Sequence, residues 1–92
     1  MQFEWDQRKA SSNARKHGIA FGDAVAVFFD PRARIFPDPD HSEAEERELI
    51  VGHDAAARLL IISFVERHGN VRIISARRTT AKEAHAHEKH IK

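Results

Sequence analysis

Apolar and polar residues alternate over 2–5 (QFEW), the period-two signature of a strand. The rhythm then lengthens. Asp6 stands where a carboxylate can accept from the open N–H groups of a first helical turn, and residues 7–17 predict a helix that Gly18 ends. Lys9, Asn13, Lys16 and His17 share one face of that helix. Residues 22–29 (GDAVAVFF) predict a second, short apolar helix with Ala24, Val25, Phe28 and Phe29 turned to the core. Asp30-Pro31 stops it, because the residue before a proline avoids the helical region. A brief strand is expected over 33–36, then a long proline-rich and acidic loop from 37, with a single helical turn over 43–46. Three strands follow, over 46–53, 58–66 and 71–77, joined by turns short enough for antiparallel hairpins. Thr80 and Glu83 are spaced as a capping box, and the Ala, Glu and Lys content after them predicts helix to about residue 90.

The order β-α-α-β-β-β-β-α indicates one α+β domain over 1–92, with a mostly antiparallel sheet and helices packed on one face. Strand alternation sharpens this. Arg47, Leu49, Val51 and His53 share a side of their strand, Ser63 lies on one side of the next, and Ser75 and Arg77 share a side of the last. One economical register puts Arg47, His53, Ser63, Ser75 and Arg77 on a common polar floor beside a basic strand end.

Composition narrows the class. With 32% charged and 41% hydrophobic residues the chain has a soluble, globular balance. No cysteine is present, which excludes disulfides and thiolate zinc sites and suits a cytoplasmic setting. The first ten residues lack a signal peptide's apolar core, and no apolar run nears the roughly 20 residues that span a bilayer, so no membrane partner is expected. The net charge is only +1, but residues 1–46 carry −3 and residues 47–92 carry +4. A basic C-terminal half can meet an anionic polymer.

Arg77 and Arg78 directly precede a capped helix, where guanidinium forks and a helix N-terminus suit phosphate oxygens. Cleavage of RNA at such a site needs no metal: a base deprotonates the 2′-hydroxyl, an acid protonates the leaving oxygen, and cations stabilise the transition state. Glu45, Glu46 and Glu66 are candidate bases, His41 and His53 candidate acids or bases, and Arg47, Arg77 and Arg78 candidate charge stabilisers. The bland alternatives are that the arginines serve solubility and helix-end pairing, and that Ser75 is a hydroxyl satisfied by backbone. His85, His87 and His90 lie on the last helix, but no HExxH or repeated ligand spacing occurs, and no metal or other cofactor is expected. Trp5, beside Phe3 and a capped helix, reads as core. The last helix has too few Lys and Arg for a persuasive DNA recognition helix.

FEWD (3–6), NARKHGIAF (13–21), FFDP (28–31), DHSEAEER (40–47), the lone Gly52, RIISARR (72–78) and Glu83 fall in the order of the BrnT family, which the chain resembles over nearly its whole length. The resemblance implies a fold similar to the RelE/ParE toxin class and a metal-free ribonuclease that halts translation independently of the ribosome. It also implies a BrnA-like ribbon-helix-helix antitoxin that neutralises the toxin and carries it, indirectly, to operator DNA. The family's shared polar positions fall here on His41, Glu45, Glu46, Arg47, Ser75, Arg77 and Glu83. From these and the local chemistry, the expected catalytic set is His41, Glu46, Arg47, Ser75, Arg77 and Arg78, with Lys9, Lys16 and Arg72 on the RNA backbone. Members commonly carry an arginine and then a tyrosine after the glutamate; here those places hold Ala84 and His87. The alternative is therefore a weak or inactive module that binds antitoxin in operon autoregulation, with Phe21, Phe28, Phe36 and Ile91 as its apolar surface.

Overall fold

The computed structural model describes residues 1–39 and 46–90. Strand β1 (Gln2–Glu4) leads into helix α1 (Gln7–His17), then α2 (Phe21–Ala24), which tightens into a 3-10 helix over Val25–Phe29. Strands β2 (Arg34–Pro37), β3 (Glu48–His53), β4 (Leu59–Arg67) and β5 (Asn70–Arg78) follow, and helix α3 (Ala81–His90) closes the chain. The end signals act as expected: Asp6 accepts from the Arg8 and Lys9 N–H groups, and Gly18 ends α1 at φ 72°. The helical turn expected over 43–46 falls, but for Glu46, outside the described residues.

The sheet order is β1-β5-β4-β3-β2. Three neighbouring pairs are antiparallel, but β1 runs parallel to β5, so the sheet is mixed rather than mostly antiparallel as the sequence suggested. Three residues of alternation carry no direction, and their partner strand is the most distant in the chain. The pairing is fixed by tertiary contacts: Arg72 bonds Glu4 at 2.9 Å, and the Phe3 ring meets Phe28 at 5.1 Å. The β4–β5 hairpin turns through His68 (φ 52°) and Gly69 (φ 82°), the two positive φ values that a two-residue turn of this twist requires.

One face of the sheet makes the core. Ile50, Leu60, Ile62, Phe64, Val71, Ile73 and Ala76 meet Ala10 of α1, Ile19, and Phe21, Ala24 and Val27. Of the expected Ala24, Val25, Phe28 and Phe29 face, Ala24 is buried and Val25 and Phe28 pack against the core, while Val27 turns inward in place of Phe29 because the chain tightens into a 3-10 helix over Val25–Phe29. Phe29 is accordingly 71% exposed. Trp5 packs against this core, edge-on to Phe21, as expected. Asn13 turns inward, so the polar face expected on α1 is broken at its centre. Helices do not share one face. α3 lies across the other side of the sheet, drawn there because its Glu83 pairs with Arg77, whose alternation points away from the core.

Candidate active site

The sheet face that α1 and α2 leave open carries the polar residues. Register places Arg34 beside Val51 and Phe36 beside Leu49; across the next strand Val51 faces Ile61 and Leu49 faces Ser63; Ile61 then faces Arg77 and Ser63 faces Ser75. The side chains at these positions form one floor, and α3 stands over one end of it. Between them runs a cleft of about 770 Å³, lined by Arg34, Phe36, Asp38, Val51, Arg77, Glu83 and His87 among others. A recess of about 370 Å³ continues it past Arg47, Ser63 and Ser75, and shares Asp38, Leu49, Ile61 and Arg77 with the cleft.

Arg77 is the hinge of this arrangement. Its Nη1 and Nη2 donate to the two carboxylate oxygens of Glu83 at 2.9 and 3.0 Å, and Nη1 also donates to the Arg78 carbonyl at 3.1 Å. Glu83 is at the same time the helix cap: Oε1 accepts from the Thr80 N–H at 2.8 Å, while the Glu83 N–H donates to Thr80 Oγ1 at 3.2 Å. The capping box read from the sequence is thus present and is bolted to the sheet. The Arg77 fork, aided by Thr80 against a smaller opposing effect of burial, holds the Glu83 carboxyl down to about 2. Such a carboxylate is a clamp and a poor proton acceptor.

A second constellation sits at the rim. Asp30 Oδ2 accepts from the His53 N–H at 2.7 Å and lies 3.5 Å from His53 Nδ1; Oδ1 accepts from the Arg32 N–H at 2.9 Å. Burial pushes the Asp30 carboxyl up, but the His53 and Arg32 N–H groups and the His53 ring together bring it below its usual range. Gly52 makes room for this, since a Cβ there would lie 3.0 Å from Asp30 Oδ2. The His53 ring stands 6.3 Å from that of His87, which α3 buries against the floor.

The structure therefore brings Arg47, Ser75 and Arg77 together, with His53 and Ser63 on the same floor, as the strand pattern suggested. Other expected residues lie elsewhere. Arg78 pairs beside Leu60 on the opposite side of β5, exposed. Lys9 and Lys16 are exposed on α1, across the sheet from Arg77. Arg72 is tied to Glu4 on the β1 side. Glu66 is exposed at the far end of β4, and Glu46 is exposed just before Arg47. His41 and Glu45 lie outside the described residues, as does Ile91. Phe21 is 2% exposed, so it offers no partner surface; Phe36 does. Arg34, Asp38 and Asp30 were not singled out from sequence. Arg34 had a signal, its alternation with Phe36, whereas Asp38 and Asp30 sit beside prolines where no pattern assigns a side.

Comparison with known proteins decides the family. Residues 5–83 match the family described as "Ribonuclease toxin, BrnT, of type II toxin-antitoxin system". The chain belongs to the BrnT family. A solved relative in fold is the ribonuclease toxin BrnT of Brucella abortus, known from a crystal structure at 1.1 Å resolution. It superposes with a TM-score of 0.69 at 24% identity, over 87% of this chain and 97% of that one. No curated protein matches the sequence. The BrnT match ends at Glu83, the clamp residue. Membership in a type II toxin–antitoxin family implies an antitoxin partner and a ribonuclease toxin's target. No helix among the described residues is long and apolar enough to cross a membrane.

Proposed function

We propose that this chain is an endoribonuclease toxin that cleaves RNA without a metal ion and so inhibits translation in the cytoplasm. A BrnA-like ribbon-helix-helix antitoxin neutralises it and links it to operator DNA, and its sheet-and-helix arrangement falls in the RelE/ParE toxin class. Family membership supports the ribonuclease class. The observation that carries the reading is the meeting of Arg47, Ser75 and Arg77 on a sheet face left open between β2 and α3.

On this reading the 2′-hydroxyl attacks the adjacent phosphorus, the 5′-oxygen leaves with a proton, and a 2′,3′-cyclic phosphate remains. Arg77, with its fork aligned by Glu83, keeps donors for a phosphate oxygen: three bonds are taken, and a guanidinium has five N–H groups. Arg47 adds a second cation and Ser75 a hydroxyl. His53, oriented by Asp30, moves one proton, because imidazole is the side chain suited to proton transfer near neutral pH. His41 or Glu46 moves the other. Arg78, Lys9, Lys16 and Arg72 meet only an RNA long enough to leave the cleft and pass round the sheet.

The test is incubation of purified chain, stripped of antitoxin, with a defined RNA in EDTA, beside Arg47→Ala and Arg77→Ala. Cleavage by the parent alone, leaving cyclic phosphate ends, is the expected result. A folded parent that leaves RNA intact supports the second reading, an antitoxin-binding module. That reading draws on the Glu83 carboxylate already seated in the Arg77 fork, and on Ile35 and Phe36, 56% and 40% exposed on edge strand β2.

A further inference from the structure

The recess beyond Arg77 contains a feature that the cleavage chemistry above does not use. Ser63 is 8% exposed, and among the described residues its Oγ is buried with no hydrogen-bond partner. A buried hydroxyl left unpaired is costly, and folded chains seldom keep one without a use. Ser63 is moreover the lone polar residue in the run Leu59–Val65, where an alanine or valine would suit the strand. Its register partner across the sheet is Ser75, so two hydroxyls stand side by side in the recess. The pairing shifts register directly after Ser63, which marks a bulge at this point of the β4–β5 ladder. Bulges re-aim side chains, and they concentrate near functional sites.

The charges around the two serines decide what fits. Arg47 and Arg77 are cations, but Asp38 lines the same recess, and Glu83 already balances Arg77. A sugar hydroxyl both donates and accepts, and it suits a set that mixes arginine donors, a carboxylate acceptor and two hydroxyls. We propose that the recess is a ribose subsite, in which Ser63 and Ser75 bond the 2′-hydroxyl of the nucleotide whose phosphate lies against Arg77. This rests on the ribonuclease reading and adds the residue by which the cleft tells RNA from DNA. Ser63 is then a specificity residue, its Oγ paired by the substrate.

The experiment uses two nucleotides with no bond to cleave, a ribonucleoside 3′-monophosphate and its 2′-deoxy counterpart. Each is titrated into the full chain and followed by amide chemical shifts, in the parent and in Ser63→Ala. The parent is expected to bind the ribonucleotide about tenfold more tightly, the ratio that one well-placed hydrogen bond supplies. The Ser63 and Ser75 amides should move. Ser63→Ala should bind both ligands alike and melt no lower than the parent, since it deletes a group without a partner. Equal binding by the parent, failure to bind either ligand, or an undiminished preference in Ser63→Ala overturns the proposal. RNA cleavage is read separately. A parent that cleaves RNA without a ribose preference loses only the subsite, and one that prefers ribose without cleaving loses only the ribonuclease reading.

Discussion

Asn13 does for Ala76 what a neighbouring strand would do. Its Oδ1 accepts from the Ala76 N–H at 3.0 Å, and its Nδ2 donates to the Ala76 carbonyl at 2.8 Å. β1 covers the outer edge of β5 only at Asn70, Val71 and Arg72, so the backbone beyond needs other partners. Nδ2 also donates to the Ile19 carbonyl at 3.0 Å, which ties down the chain after α1. The amide thus fixes the strand one residue before Arg77, from the side opposite the cleft.

Asn13→Asp keeps the acceptor, loses both donors and places a carboxylate at a buried position; Asn13→Ala leaves all three backbone groups unpaired. Either change is expected to cost about 2–4 kcal/mol, because unpaired buried groups lose their full solvation. Urea unfolding measures it. A midpoint equal to the parent's would show that water replaces the amide at no cost.

Gly52 is held small by its neighbours. An added Cβ would lie 2.9 Å from the Ala33 Cβ, 3.0 Å from Asp30 Oδ2 and 3.1 Å from Val27 Cγ1. Ala33 and Val27 have no flexible end to swing aside, so strand or helix must shift. Gly52→Ala is expected to destabilise by about 1–3 kcal/mol, the range for overpacking. It should also move the His53 ring signals, since Asp30 is pushed from its bond. A stable variant with unchanged His53 signals would mean that the Asp30 contact does not depend on this glycine.

These two residues show what a sequence discloses and what it withholds. Element ends were legible, because Asp6, Gly18, Thr80 and Glu83 act on backbone groups within a few positions of themselves. The polar floor was legible from period-two alternation at Arg47, Ser63, Ser75 and Arg77, but strict parity also put Val71 and Ile73 beside Ser75 and Arg77, and the register shift after Ser63 turns those two into the core with Ala76. Partnership across the chain was not. Asn13 looked like one more polar residue on a basic helix face, and only the short cover of β1 explains why it is buried. The seat of α3 was equally hidden: the capping box announced Glu83 as a local cap, and nothing local said that the same carboxylate would hold Arg77. The Phe29 error came from assuming a helix of 3.6 residues per turn where the chain winds by three.

Acid should loosen α3 from the sheet. The Glu83 carboxyl titrates at about 2 in the folded protein against an ordinary value of 4.5, chiefly because of the Arg77 fork. A depressed carboxyl stabilises fully above its unfolded value, and that contribution fades as pH falls from 4.5 toward about 2. Amide exchange in α3 is therefore expected to quicken across that window before the core strands open. Glu83→Gln should show the fast exchange already at neutral pH and lose the acid dependence. A parent and variant with the same acid profile would place the anchor elsewhere.

Salt dependence of RNA binding separates the two sides of the sheet. Each phosphate neutralised on a single strand contributes about 0.7 to the slope of log affinity against log salt. With an RNA of about six nucleotides, confined to the cleft, Arg34→Ala and Arg47→Ala should each lower the slope by about 0.7. Both residues line the cleft or its recess. Lys9 and Lys16 stand on α1 across the sheet, so Lys9→Ala and Lys16→Ala should leave that slope alone and reduce it only for an RNA long enough to pass round the edge. Arg77→Ala is the less clean probe, because it also frees Glu83 and unseats α3. Filter binding or fluorescence anisotropy over a range of salt concentrations measures all four variants. A slope for the short RNA that falls with the lysines and not with the arginines would move the RNA from the open face of the sheet to α1.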